Sequence, residues 1–165
     1  MVSNKTTKRI PLELSVGDEP VPSTPLLERV SFLVHRVNAQ MLRICNPHFQ
    51  KWGVDLVTSR MMVALLESDS LTAGEIVKLM ALPQSTISHQ LKRLEKLGYI
   101  TRENSPSDSR IVIARLTRQG REIANEANKL SRQVVTQMLQ SIPEQDARLV
   151  RTSLKEMDKA LESMR

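Results

Sequence analysis

Residues Pro83 to Gly98 read PQSTISHQLKRLEKLG, and the way this stretch sorts its side chains decides the fold. At about 100° per residue, Ile87, Leu91, Leu94 and Leu97 fall on one face and Ser85, His89, Lys92 and Lys96 on the other, with Ser88 and Arg93 at the edges. Pro83 suits a first helical turn, where a missing N–H costs little, and Gly98 suits the left-handed residue that ends a helix. A solvated helix face ordinarily mixes charge signs for i,i+4 pairing. This one has short hydroxyls near its start, then His and Lys, with Glu95 as its acid. Short polar side chains at that end suit base edges in a major groove about 12 Å wide, and lysines further along suit phosphates. A basic surface helix of any small domain would look the same in isolation, so the flanking sequence has to choose.

Immediately upstream, Thr72 and Glu75 have capping-box spacing and open a short helix that buries Ile76, Leu79 and Met80. Only Ala81 and Leu82 separate it from Pro83, which is a helix-turn-helix arrangement. Downstream, Tyr99–Arg102 and Arg110–Leu116 are rich in β-branched residues around the turn-rich ENSPSDS, a hairpin with a projecting loop. The alternation in the second strand is too imperfect to assign its faces. Further out, Thr58 can cap a helix carrying Met61, Met62, Ala64, Leu65 and Leu66. Before it, Pro25 to Cys45 carries Leu26, Val30, Leu33, Val34, Val37, Met41 and Ile44 at helical spacing and ends where Asn46-Pro47 turns the chain. Phe32, Leu42 and Cys45 fall off that stripe, so more than one side is expected to be covered, as a partner subunit would do. Thr117 can cap a long helix to about Gln140 that buries Ile123, Ala127, Leu130, Val134 and Met138. Ser141 and Glu144 have capping-box spacing with Pro143 inside the first turn, opening a last helix with Leu149, Val150, Leu154, Met157 and Leu161.

Composition agrees with a mainly α protein carrying a small β-hairpin. Of 165 residues, 40% are apolar but only Phe32, Phe49, Trp52 and Tyr99 are aromatic, so the core is aliphatic. Net charge is +6, and between Pro83 and Arg121 eight Lys/Arg face three acids, so nearly all the excess sits on and beside the basic helix. No apolar run approaches the roughly 18 residues of a membrane span and no signal-peptide pattern opens the chain, so a cytoplasmic protein without a membrane partner is expected. Cys45 is the single cysteine; with no zinc spacing, nucleophile motif or phosphate loop, neither a metal, a cofactor nor enzymatic activity is expected. Residues 1–24, basic at Lys5, Lys8 and Arg9 and broken by prolines, read as a disordered arm.

The order helix, helix, helix-turn-helix, hairpin, long helix closely resembles the MarR family of transcriptional regulators. The resemblance rests on QSTISHQLKRLEKLGYI and on a wing signature, Asp108-Ser109-Arg110 followed by Leu116-Thr117-Arg118-Gln119-Gly120, which together span most of residues 56 to 120. It implies a domain over 25–165, with dimerisation helices at 25–46 and 118–165 around a winged helix-turn-helix at 55–117. It implies a homodimer on a pseudo-palindromic operator in double-stranded DNA. Gln84, Ser85, Thr86, Ser88, His89, Lys92 and Lys96 would lie at the major groove, and Arg110 would reach the minor groove. Asp108 is expected to brace the wing by a salt bridge to the basic helix, with a simple turn-forming role as the alternative.

Family members commonly bind small anionic or phenolic molecules in a crevice between the dimer helices and the DNA-binding lobe. Here that would draw on His35, Arg36, Met41, Arg43, Met61 and Met62. Arg29, Arg36 and Arg43 align every seven residues, and methionines make an adaptable wall, although both patterns also suit a solvated edge and a packed core. The expected function is a repressor released by a small anionic aromatic effector, an aromatic acid or its acyl-CoA thioester. The alternatives are an oxidant sensor using Cys45, against which stands its place at the far end of the first helix from the family's sensing cysteines, and a winged-helix protein-interaction module.

Overall fold

The structure, a computed structural model, describes residues 24–164, so the arm expected over 1–24 lies outside the described residues except for Thr24. In chain order the elements are α1 (Val30–Phe49), α2 (Leu56–Ser68), β1 (Leu71–Thr72), α3 (Ala73–Met80), α4 (Gln84–Lys96), β2 (Ile100–Asn104), β3 (Val112–Leu116), α5 (Arg118–Leu139) and α6 (Glu144–Ser163), with 3-10 turns at Leu26–Glu28 and Gln50–Trp52. They fall into two compact units, one of Leu27–Gln137 and one holding the remaining described residues, which include α6. No described helix is long and apolar enough to cross a membrane.

In the larger unit α1 does not stop at Asn46-Pro47 but runs through Pro47 to Phe49. A proline in the last turn removes one intrahelical bond, to the carbonyl four residues back. The extra turn is held by Phe49, fully buried, and by the Asn46 Oδ1, which accepts the Leu56 N–H at 2.9 Å. Cys45 is fully buried beside Phe49 in this core, whereas Val30, Leu33, Val34, Val37 and Ile44 leave an apolar stripe about half exposed. The cap of α2 is Asp55 rather than Thr58. The Asp55 carboxylate accepts the Thr58 N–H at 2.8 Å and the Thr58 hydroxyl accepts the Asp55 N–H at 2.8 Å, a reciprocal box with Thr58 at its third position.

The capping box expected at Thr72 and Glu75 forms and starts α3. The Glu75 carboxylate accepts the Thr72 N–H at 2.7 Å and its hydroxyl at 2.8 Å, and these bonds, aided by Lys78, hold its pKa below the ordinary value. Ile76 is buried as expected, but Leu79 is 61% exposed. α4 packs Ile87, Leu91 and Leu94 inward and ends in a Schellman motif. Gly98, at φ +73°, donates to Glu95 O at 2.9 Å, and Tyr99 N donates to Leu94 O at 3.0 Å.

The hairpin is antiparallel, with Ile100 opposite Leu116 and Asn104 opposite Val112. Ala114 and Leu116 point into the core and Arg115 out, which settles the faces of β3. β3 lies centrally because β1 pairs with its other edge through Leu71–Ala114 and Thr72–Ile113, making a three-stranded sheet. Thr117 caps α5 as expected, its Oγ1 accepting the Gly120 N–H at 3.0 Å while donating to Gly98 O at 2.7 Å. Ala124 and Ala127 of α5 are buried, with Ile123, Leu130 and Val134 packed against the core, while Met138 is exposed.

In the smaller unit α6 begins differently from expectation. Pro143 occupies the cap position without a side-chain cap, and its carbonyl takes Asp146 N at 2.9 Å and Ala147 N at 3.0 Å, so Ser141 closes no box. The α6 apolar stripe of Leu149, Val150, Leu154, Met157 and Leu161 is exposed throughout.

Candidate nucleic-acid interface

With Ile87, Leu91 and Leu94 anchoring α4, its opposite face stands free. Gln84, Ser85, Ser88, His89, Lys92 and Lys96 are all exposed, and Thr86 is half-buried at the margin. Seven of these expected contact residues thus share one helix. The wing tip, residues 105–111, carries Arg110, also exposed.

Charge pairing separates two kinds of cation. Arg93, at the edge of the α4 face, turns back to Asp55 Oδ2 at 3.2 Å and Gly53 O at 2.6 Å. Arg102 of β2 grips Glu95 of α4, its Nε at 2.9 Å and its terminal NH2 also on Oε2. Arg118 pairs with Glu122 and Arg121 with Asp69. Among the described residues, Lys92, Lys96, Arg110 and Arg115 keep their side-chain charges free of ion pairs. The eight Lys/Arg between Pro83 and Arg121 therefore divide into four paired with acids and four without an ion pair, the latter on α4 and the wing.

Asp108 does not bridge to α4. Its Oδ1 accepts the Arg110 N–H at 2.9 Å and its carbonyl takes Ile111 N at 3.0 Å, while Ser105 N donates to Ile111 O at 2.8 Å. At an exposed loop tip the carboxylate is in reach of local backbone donors, so it shapes the turn that presents Arg110. The brace expected of Asp108 is supplied instead by Arg102 and Glu95. Sequence reasoning missed this pair, although a basic residue at the start of the wing and an acid near the end of the helix are visible as types.

A cleft of about 390 Å³ lies within the larger unit between α1, α2, α3 and α5. Met41, Leu56, Val63, Leu79 and Met80 give it apolar walls, Arg60 and Glu67 give it charge, and Asn128 and Ser131 give it neutral polar groups. The exposure of Leu79 follows from facing this space. Of the residues expected for an effector, Met41 lines the cleft. Met61 and Met62 are fully buried core residues outside its lining, and His35, Arg36 and Arg43 are exposed on α1 and also outside it. Arg60 is the cation that sequence reasoning did not single out. Cys45 is fully buried; burial pushes its thiol pKa up and nearby Arg60 only partly offsets this, the opposite of what a reactive thiolate needs.

Comparison with known proteins agrees with this architecture. The family model described as MarR family matches residues 52–111, which cover the end of the 3-10 turn, α2, β1, α3, α4, β2 and the wing tip but stop short of β3. The uncharacterized HTH-type transcriptional regulator YdgJ of Bacillus subtilis (strain 168) is 27% identical over 98 residues, 59% of this chain and 60% of the relative, so the alignment spans less than two thirds of that protein. The S. aureus MepR-DNA complex superposes with a TM-score of 0.74 at 18% identity, covering 81% of this chain and 98% of that one. CouR from Rhodococcus jostii RHA1 bound to p-coumaroyl-CoA gives a TM-score of 0.72 at 20% identity, covering 82% and 95%. The matched segment takes in the helix-turn-helix and the first strand and tip of the wing, and over those residues the chain is similar to the MarR family.

Proposed function

We propose that the chain is a transcriptional regulator that binds a pseudo-palindromic operator as a homodimer and is released by a small anionic aromatic effector, an aromatic acid or its acyl-CoA thioester. The carrying observation is the exposed α4 face with free Lys92 and Lys96, set beside a wing whose tip presents Arg110. Phosphates would meet the lysines, hydroxyl and amide groups of Gln84, Ser85, Thr86 and Ser88 and the His89 imidazole would read base edges, and the guanidinium of Arg110 suits a narrow minor groove. The MepR neighbour is a DNA complex, which supports this use of the fold. Uncovered apolar stripes on α1 and α6 support assembly with a second copy, and two-fold symmetry would set half-sites about 10 bp apart. For the effector, Arg60 beside the cleft's apolar walls, with Glu67, Asn128 and Ser131 as its other polar groups, suits a carboxylate or phosphate joined to a flat apolar body, and a CoA thioester bound to CouR supports that class.

The test is fluorescence anisotropy of the promoter duplex upstream of the protein's own coding sequence, titrated at several salt concentrations and then with p-coumaroyl-CoA and free aromatic acids. Affinity falling steeply with salt is expected, followed by release with one of the aromatic compounds. Indifference to the duplex at low salt would end the regulator reading. Stable binding that none of the compounds relieves would end the effector assignment alone.

A further inference from the structure

We propose that Arg93 is a positioning residue for operator binding, acting through Asp55 and Gly53 and not by touching DNA; this rests on the DNA-binding reading above. From sequence, Arg93 lies at the edge of the basic face, with no role assigned to it. In the folded chain its two terminal nitrogens are committed elsewhere, NH1 to Asp55 Oδ2 at 3.2 Å and NH2 to Gly53 O at 2.6 Å. The segment it grips is the turn between α1 and α2. Gly53 takes a left-handed φ of +69° there, and Asp55 uses its other oxygen to cap α2. Two further side chains hold the same turn from different elements: Asn46 of α1 accepts the Leu56 N–H at 2.9 Å, and the Tyr99 hydroxyl donates to Trp52 O at 2.9 Å from just beyond α4. The turn is thus a shared anchor, and Arg93 is the link from it to the body of the recognition helix. A planar guanidinium holding a carboxylate and a carbonyl together fixes direction as well as distance, which a lysine ammonium does not.

The consequence differs in sign from that of a simple charge effect. Asp55 is an acid beside a face proposed to meet a polyanion. If it acted only through its charge, neutralising it would strengthen DNA binding. If it holds Arg93 in place, neutralising it weakens binding. Asp55→Asn is a clean probe because asparagine remains a good helix N-cap and α2 keeps its start.

The experiment measures Kd against salt for full-length wild type, R93Q, R93K, D55N, the R93Q/D55N double variant and K92Q, on a duplex that the wild-type chain itself selects from a random pool. R93Q and D55N are expected to weaken binding by about fivefold to tenfold, the scale of one typical net hydrogen bond. The double variant should be no worse than R93Q alone, because both remove the same link. Their log–log salt slopes should match wild type, whereas K92Q should lower the slope by about 0.9 for each phosphate it ceases to neutralise. Salt screening of the pair itself is slight, since its 3.2 Å separation lies far inside a Debye length of about 8–10 Å. R93K, keeping charge but not the double grip, should fall between wild type and R93Q at wild-type slope. The proposal is overturned if R93Q lowers the slope as K92Q does, or if D55N binds as tightly as wild type or more tightly. Failure of the wild-type chain to select any duplex would instead remove the DNA-binding reading beneath it.

Discussion

Gly120→Ala should be strongly destabilising, although the same change elsewhere in an exposed helix is helpful. Gly120 is the third residue of α5 and is buried under the end of the α4–β2 turn. A Cβ placed there would lie 1.9 Å from the Tyr99 carbonyl oxygen, 2.8 Å from its carbon and 3.1 Å from its Cα. These are backbone atoms, so no rotamer change relieves the clash. To reach ordinary contact the first turn of α5 and the Tyr99 peptide must part by more than 1 Å (roughly the gap to a 3.4 Å contact). The shift would strain the Thr117 N–H to Tyr99 O bond, now 3.0 Å, along with the Thr117 hydroxyl that joins Gly98 O to the cap of α5. Forced overpacking costs about 1–3 kcal/mol, loss of the backbone bond about 0.5–1.5 kcal/mol, and the better helix propensity of alanine returns about 0.5–1 kcal/mol. The net is a loss of roughly 0.5–4 kcal/mol, a fall in Tm of roughly 1–16 °C for a chain of this size. Denaturant melts at one fixed protein concentration, which holds any dimer term constant, measure it. A Gly120→Ala chain as stable as wild type or more so would show that the close approach of α5 to Tyr99 does not exist.

Other perturbations address the site and its supports. Arg110→Ala should weaken operator binding by about 1–3 kcal/mol if its guanidinium enters the groove, read by anisotropy; unchanged affinity would mark the wing tip as a bystander. Arg60→Ala should leave operator binding intact but blunt release by an aromatic acyl-CoA, while His35→Ala should do neither; the reverse pattern would return the effector site to the α1 surface. The Glu75 carboxylate is held at a depressed pKa, so its stabilising contribution is present above its unfolded pKa and disappears as pH falls through the folded value. The stability difference between wild type and Glu75→Gln should therefore be constant near neutrality and shrink on acidification below the ordinary carboxylate range, and a difference that grew in acid would contradict the capping assignment.

Most of the helix-turn-helix is legible in the sequence because it is written in local rules. Ile87, Leu91 and Leu94 repeat at helical spacing, Thr72 and Glu75 advertise a cap, and Gly98 ends α4 with the positive φ its type suggests. What escapes a sequence reading is tertiary. β1 is two residues long, too short for alternation to signal, and exists because β3 offers it an open edge. Thr58 resembles a cap because hydroxyls favour that position, yet Asp55 three residues earlier wins by trapping two Thr58 groups at once. Arg93 and Arg102 count in sequence only toward the basic excess between Pro83 and Arg121, and only their neighbours show that they are paired within the protein. The same blindness separates Arg36 and Arg43, expected to pair with a ligand, from Arg60, which lines the cleft, because periodicity along α1 cannot say which residues of α2 face that space.

The division of cations also bears on how salt should act on this molecule. The frame pairs are partly exposed, and such pairs contribute about 0–1 kcal/mol each, so screening them leaves most of the stability in place. That stability resides in the buried aliphatic core formed around Leu65, Ile76, Ile87, Leu91 and Leu94, which salt does not weaken. The unpaired lysines of α4 are different, because the partners proposed for them are phosphates whose counterions return as salt rises. In the proposed complex Lys92 and Lys96 from each of two copies would make about four phosphate contacts, and at a slope of about −0.9 per contact these lose about 10²-fold in affinity between 50 and 200 mM salt. Folding and operator binding should therefore separate along a salt titration, with the duplex released while the unfolding midpoint barely moves. A midpoint that fell in step with affinity would mean that the pairs at Arg93 and Arg102 carry the fold, and that the basic helix cannot be treated as a face presented by an independent core.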